Sequence, residues 1–219
     1  MTERILYFKG GRAIEEAREL FPRAGELPDG GPDKFLLAAL HFARHARFRL
    51  ASFGPQYQRI ELLGREVIEY GARPVAPSAL RRRLAFAGAA LRVVGDTLRF
   101  RPQRVLCGQD GPFALLIWLA ARLSAAQFVL LAHNALALPT TSRAYKISNR
   151  FLCRHADLVI AHGPFVRDEA IQLGAAPARV AEFNNALDPQ HVRLVETLPP
   201  KPQPASDADE PVVPIVLYV

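Results

Sequence analysis

The chain has 219 residues, half of them apolar, which is enough for one sizeable core and short for two full α/β domains. Its formal charge is +7 with a pI near 9.9, and the mostly arginine excess favours phosphates, anionic headgroups or nucleic acid. Nucleic acid is disfavoured: basic residues are not interleaved with exposed-looking aromatics, and no helix-turn-helix, zinc-finger or RNP pattern occurs.

Ile5 to Phe8 form a short apolar run ended by Gly10-Gly11, a buried strand running into a tight loop. A helix over Arg12 to Leu20 follows, then a Gly- and Pro-rich loop from Gly25 to Gly31. Apolar residues at 36, 37, 40 and 43 predict an amphipathic helix over Asp33 to Arg47. Arg49 to Phe53 reads as a strand closed by Gly54-Pro55, followed by a short helix around Tyr57 to Leu63 and a strand near Val67 to Tyr70. Ser78 is placed to cap a long helix reaching Phe100 and ended by Pro102.

The second half repeats one unit. Strands at Val105 to Cys107, Phe128 to Leu131, Leu158 to Ala161 and Arg179 to Phe183 alternate with helices at Pro112 to Leu123, Thr141 to Arg154 and Pro164 to Leu173. That alternation implies right-handed βαβ units, hence an α/β, Rossmann-like parallel sheet with helices on both faces. From Leu198 to Pro214 the chain turns proline-rich and acidic, the composition of a linker, and Ile215 to Val219 again reads as a buried strand. The expected organisation is a domain over 1–197, a linker over 198–214, and the first strand of a further domain over 215–219.

Neither the N-terminal run nor the longest apolar stretch, Phe113 to Ala121, has the length of a membrane span, so a cytoplasmic protein is expected. Cys107 and Cys153 stand in apolar segments with no His or Cys at ligand spacing. They predict buried thiols in a reducing compartment, with neither a disulfide framework nor a metal site.

Open α/β sheets bind ligands beyond the carboxyl ends of their strands, so polar residues at those ends are the candidates. Gly10-Gly11 lacks the G-x-G-x-x-G spacing, and no acid ends the second strand, which argues against a dinucleotide-binding oxidoreductase. Gly30-Gly31, before the helix that starts near Asp33, is either a flexible helix entry or a loop lying over the cleft for an acceptor or phosphate. His133 and Asn134 end one strand, His162 ends another, and Asp110 with Gly111 ends a third. A histidine at such a place can hydrogen-bond or act as a base, or be a satisfied structural residue. Arg81-Arg82-Arg83 opens the long helix, whose other residues are apolar at helical spacing; a solvated face and contact with an anionic membrane are the two readings. Arg44, His45, Arg47 and Arg49 would extend that basic patch if they share its side.

Four segments together resemble the N-terminal domain of a GT-B fold glycosyltransferase of family 4. They are Gly30-Gly31 entering the helix from Lys34 to Ala43; Leu130-Leu131-Ala132-His133-Asn134; Ala156 to Ala161 before a helix; and Val180 to Asp188, which contains Asn184-Asn185-Ala186-Leu187-Asp188. The last is similar to the family's Pro-Asn-Gly-Val-Asp segment, with Ala186 in place of glycine. His162 replaces a common serine, and Ile215 to Val219 resembles the first strand of the nucleotide-sugar domain.

The resemblance implies transfer of a sugar from a nucleotide-sugar to a lipid, polysaccharide or small-molecule acceptor, with no cofactor beyond that co-substrate and no metal. It implies that this domain holds the acceptor and that the donor-binding C-terminal domain is absent, leaving the chain inactive alone. It matches Gly30 and Gly31 to the loop near the donor phosphates and His133 to the histidine at the reaction centre, with Asp110, Asn134, His162, Asn184 and Asn185 lining the cleft. A different class of reading remains beside it: a non-catalytic membrane-surface subunit, using Arg81, Arg82 and Arg83, that partners a separate donor-binding chain.

Overall fold

Short β-branched and aromatic runs, each cut off by Gly, Pro or a helix cap, give the strands of a computed structural model that describes residues 3–14, 46–62, 65–72, 78–133, 135–137 and 142–183. The strands are β1 (Glu3–Phe8), β2 (Ala46–Gly54), β3 (Gln58–Leu62), β4 (Arg65–Gly71), β5 (Arg104–Cys107), β6 (Gln127–Ala132), β7 (Leu158–His162) and β8 (Val180–Phe183). The helices are α1 (Ala79–Phe100), α2 (Gly111–Leu123), α3 (Arg143–His155) and α4 (Gly163–Gln172).

The strands form one sheet in the order β3-β4-β2-β1-β5-β6-β7-β8. From β1 the chain winds outward through β2 to β4, then returns on the other side of β1 to build β5 through β8. Winding reverses between β1 and β5, which makes the carboxyl end of that pair the switch point where open sheets bind ligands. The α/β, Rossmann-like fold read from the sequence is the observed one.

Alternation along each strand divides the apolar residues between two faces. Leu6, Phe8, Phe53 and Tyr70 meet Val93 of α1, Ile117 of α2 and Leu152 of α3 in one buried cluster. The rings of Phe8 and Phe53 stack at 6.0 Å, and Phe53 lies 4.7 Å from Phe113. On the opposite face Tyr7, Leu50, Val67, Val129 and Leu131 cluster with Ala13 and Ile14, which are helical. Ser78 caps α1 as expected, its hydroxyl accepting from the Arg81 N–H at 3.3 Å.

Three expectations are corrected. Tyr57 to Leu63 is no helix: Gln58–Leu62 is a strand, antiparallel to β4, so the sheet is not wholly parallel. Apolar Tyr57, Ile60 and Leu63 at threefold spacing imitate a helical turn, whereas Arg59-Ile60-Glu61-Leu62 carries the twofold alternation that prevails. Ala46 and Arg47, expected at the end of a helix from Asp33, are strand residues that pair with Glu3 and Arg4 of β1; the rest of that expected helix lies outside the described residues. Arg49 does not extend a surface patch; it is ion-paired with Glu66 and lies 4.3 Å from the centre of the Phe100 ring. The Gly25 to Gly31 loop, Arg44, His45, the linker and the terminal strand lie outside the described residues.

Candidate functional site

At the switch point, three loop starts converge. Gly10 and Gly11 follow β1, Gly108 to Asp110 follow β5, and His133 follows β6; with Leu136 they line a cleft of about 240 Å³. The first two loops are tied by backbone and amide bonds. The Gly108 N–H donates to Phe8 O at 2.7 Å, and Gln109 Nε2 donates to Lys9 O at 2.6 Å. Their approach favours glycine, since a Cβ on Gly10 would stand 3.2 Å from Gly108 O and press the two loops slightly apart.

The segment after His133 is held from two helices. Glu169 of α4 accepts from the Leu136 N–H at 2.5 Å through Oε2 and from the Ala137 N–H at 2.9 Å through Oε1. Asn149 of α3 donates to Leu136 O at 2.8 Å, and its Oδ1 accepts the Gly111 N–H at 2.8 Å. One buried amide thus joins the start of α2 to the segment beyond His133.

His133 and His162 end neighbouring strands, and their rings lie 4.2 Å apart at 58°, with Phe183 beyond, 5.5 Å from His162. Burial, followed by the neighbouring His162 and Lys9, pushes the His133 pKa down to about 4. Burial lowers that of His162 as well. His133 is therefore uncharged at neutral pH: a hydrogen-bonding group with little capacity to store a proton.

Of the residues singled out in the sequence, the structure brings Asp110 and His133 to the cleft and sets His162 against His133. Asp110 stands at the N-cap of α2 without a side-chain capping bond. Arg81, Arg82 and Arg83 are exposed on the first turns of α1 and line no part of the cleft. Gly30, Gly31, Asn134, Asn184 and Asn185 lie outside the described residues. The sequence reading missed Gln109, Asn149 and Glu169. Only Asn149 carried a signal: an amide at an inward position of an amphipathic helix, where a buried polar group needs partners. Asp157, within the Ala156 to Ala161 segment, works at the other edge of the sheet, where its Oδ2 accepts the Phe128 N–H at 2.8 Å.

This sheet, switch point and cleft define a Rossmann-like half of the GT-B kind. Among solved structures, Anabaena HepE in complex with UDP and glucose superposes with a TM-score of 0.55 at 14% identity, over 90% of this chain and 50% of that one. The UDP-N-acetylglucosamine 2-epimerase from Rickettsia bellii gives 0.54 at 12% identity, over 83% and 44%. A sucrose-phosphate synthase from Thermosynechococcus elongatus gives 0.51 at 11% identity, over 89% of this chain and 95% of that chain. No curated protein matches the sequence. The chain belongs to the glycosyl transferase 4-like domain family, which matches residues 35–186. It spans about half the length of the HepE chain, and its family supports a glycosyltransferase-like role.

Proposed function

We propose that the chain is the acceptor-binding half of a glycosyltransferase and transfers sugar only when a donor-binding half closes over its cleft. The observation that carries this reading is His133, uncharged and partly buried at the switch point of a family 4-like domain. Cleft size supports it. Small-molecule sites that bury their ligand alone usually offer roughly 300–1,000 Å³, and a cleft of about 240 Å³ fits one wall of a shared site.

In this reading a sugar or lipid-linked hydroxyl acceptor lies over Gly10, Gly108 and Gln109. His133 hydrogen-bonds the transferred sugar and stabilises charge as the nucleoside diphosphate leaves; its low pKa keeps it in the neutral form that this role needs. His162 packs against that ring and limits its rotation. Gly30 and Gly31 would approach the donor phosphates, with Asn134, Asn184 and Asn185 at the cleft rim, on the strength of the family resemblance. The nucleotide-sugar is the co-substrate, and the reaction sits on the cytoplasmic side of the cell.

The HepE structures hold UDP, UDP with glucose, or UDP-glucose, which makes uridine diphosphate sugars the first donors to try. The test supplies a donor-binding half and follows transfer from labelled UDP-glucose to lipid and oligosaccharide acceptors. Transfer absent from the chain alone, present in the pair and reduced at least about a hundredfold by His133→Ala is the expected result. Undiminished transfer by the His133→Ala pair would remove the proposed role of that residue. Epimerisation of a UDP-sugar without transfer would replace the reading altogether, since an epimerase shares the fold.

A further inference from the structure

Helix α1 carries its leucines on the wrong side for folding. With 3.6 residues per turn, Leu80, Leu84, Leu91 and Leu98 fall within about 40° of one line, and the buried Ala89, Val93 and Phe100 lie on the line diametrically opposite. The four leucines are 66%, 64%, 76% and 41% exposed. Single exposed leucines need no explanation, but four in register along a helix of 22 residues, about 33 Å, form a continuous apolar ridge. Core packing does not account for it, because the core is served by the other side.

Charge decides what the ridge fits. Arg81 and Arg99 lie about 90° to one side of the leucine line, and Arg83 lies a similar angle to the other; all three are exposed. Arg92 shares the first flank, with its guanidinium 4.8 Å from the centre of the Tyr57 ring. The helix has one acid, Asp96, which accepts from the Tyr70 hydroxyl at 3.1 Å and so faces the sheet. A second copy of this chain would set arginine against arginine in either direction of pairing, within a protein already at +7. An apolar line with cations on both flanks matches a planar anionic surface, where leucines enter below the headgroups and guanidinium groups stay level with phosphates.

We infer that the outer face of α1 is a docking surface for an anionic lipid bilayer, with Leu80, Leu84, Leu91 and Leu98 inserted and Arg81, Arg83 and Arg99 at the headgroups. The inference stands apart from the transfer reading, since it uses no residue of the cleft. Because α1 crosses back from the carboxyl edge of the sheet, where Phe86 lies 5.5 Å from Phe113 at the start of α2, its arginine-rich end is on the cleft side of the molecule. Docking would therefore place the cleft mouth near the membrane plane.

Co-sedimentation of the full chain with phosphatidylcholine vesicles, with and without phosphatidylglycerol, tests it. Binding is expected only with the anionic lipid and should weaken as salt is raised. The Leu84→Gln, Leu91→Gln double variant should bind about tenfold more weakly. Changing Arg81, Arg83 and Arg99 together to Gln should cost about a hundredfold. Phe165→Ser on α4 removes a side chain 68% exposed and should leave binding unchanged. Unchanged circular dichroism and melting verify that each variant folds, as expected for side chains pointing away from the core.

Three results would overturn the inference: no binding to anionic vesicles, binding indifferent to the leucine pair, or a concentration-dependent dimer in sedimentation that the leucine pair abolishes. The last would assign the ridge to a second copy.

Discussion

Gly111 shows how tightly one residue can be specified. Its φ is +65°, and a Cβ there would stand 2.5 Å from the Tyr145 ring, so a side chain meets both backbone strain and a steric block. Gly111→Ala should lower stability by about 2–4 kcal/mol in urea titration. Combining it with Tyr145→Ala should recover the steric part and leave about 1 kcal/mol from the backbone. Equal losses with and without Tyr145 would show that the ring moves freely aside. His133 gives a residue-scale prediction in pH. Its folded pKa of about 4 lies below the ordinary 6.5, so the unfolded chain binds the proton first. Its contribution to stability is complete above pH 6.5 and is lost as pH falls from there towards 4. His162 acts in the same direction. NMR titration should place the His133 midpoint well below that of an exposed histidine, and His133→Gln should flatten the stability profile across that window. A midpoint at the ordinary value would mean that the ring is solvated and that Lys9 and His162 exert little influence on it.

At the scale of elements, the segment beyond β6 depends on α3 and α4 more than on its own sequence. Glu169 alone accepts two consecutive N–H groups there, and removing it leaves both donors to find water near a buried leucine. Glu169→Ala should accelerate amide exchange at Leu136 and Ala137 by at least about tenfold, with little change at β1 or β5. Uniform acceleration would show that α4 had lost its packing instead. Such cross-element contacts mark the limit of what the sequence discloses. Alternation of strand and helix is a local signal, and among the described residues it located β1, β2, β4 through β8 and α1 through α4. The site was legible only as far as strand ends are local: Asp110, His133 and His162 were found because each terminates an apolar run. Gln109, Asn149 and Glu169 bond to partners 100, 38 and 33 positions away, and no spacing rule announces such pairs. The strand at Gln58–Leu62 was lost for a different reason, since Tyr57, Ile60 and Leu63 imitate a helical turn and the twofold alternation of Ile60 and Leu62 is too short to outweigh it.

For the molecule as a whole, β1 at the middle of an eight-stranded sheet makes the two halves depend on each other. The two cysteines report on that dependence. Cys107 ends β5 beside the switch point and Cys153 lies within α3; both are free and buried, and burial pushes each thiol up to about 12. A thiol so protonated reacts slowly even when reached, because the thiolate is the nucleophile. Both should therefore be inert to a disulfide reagent in the native protein, and each should react only through opening of the structure around it. If the sheet unfolds as one unit, the two thiols become reactive at the same urea concentration, coincident with the fluorescence change of Trp118, which packs 4.8 Å from Phe151 between α2 and α3. If Cys153 reacts at lower urea than Cys107, the region around α3 opens before the sheet. The segment that Asn149 holds beyond His133 would then be the first part of the cleft to lose its shape.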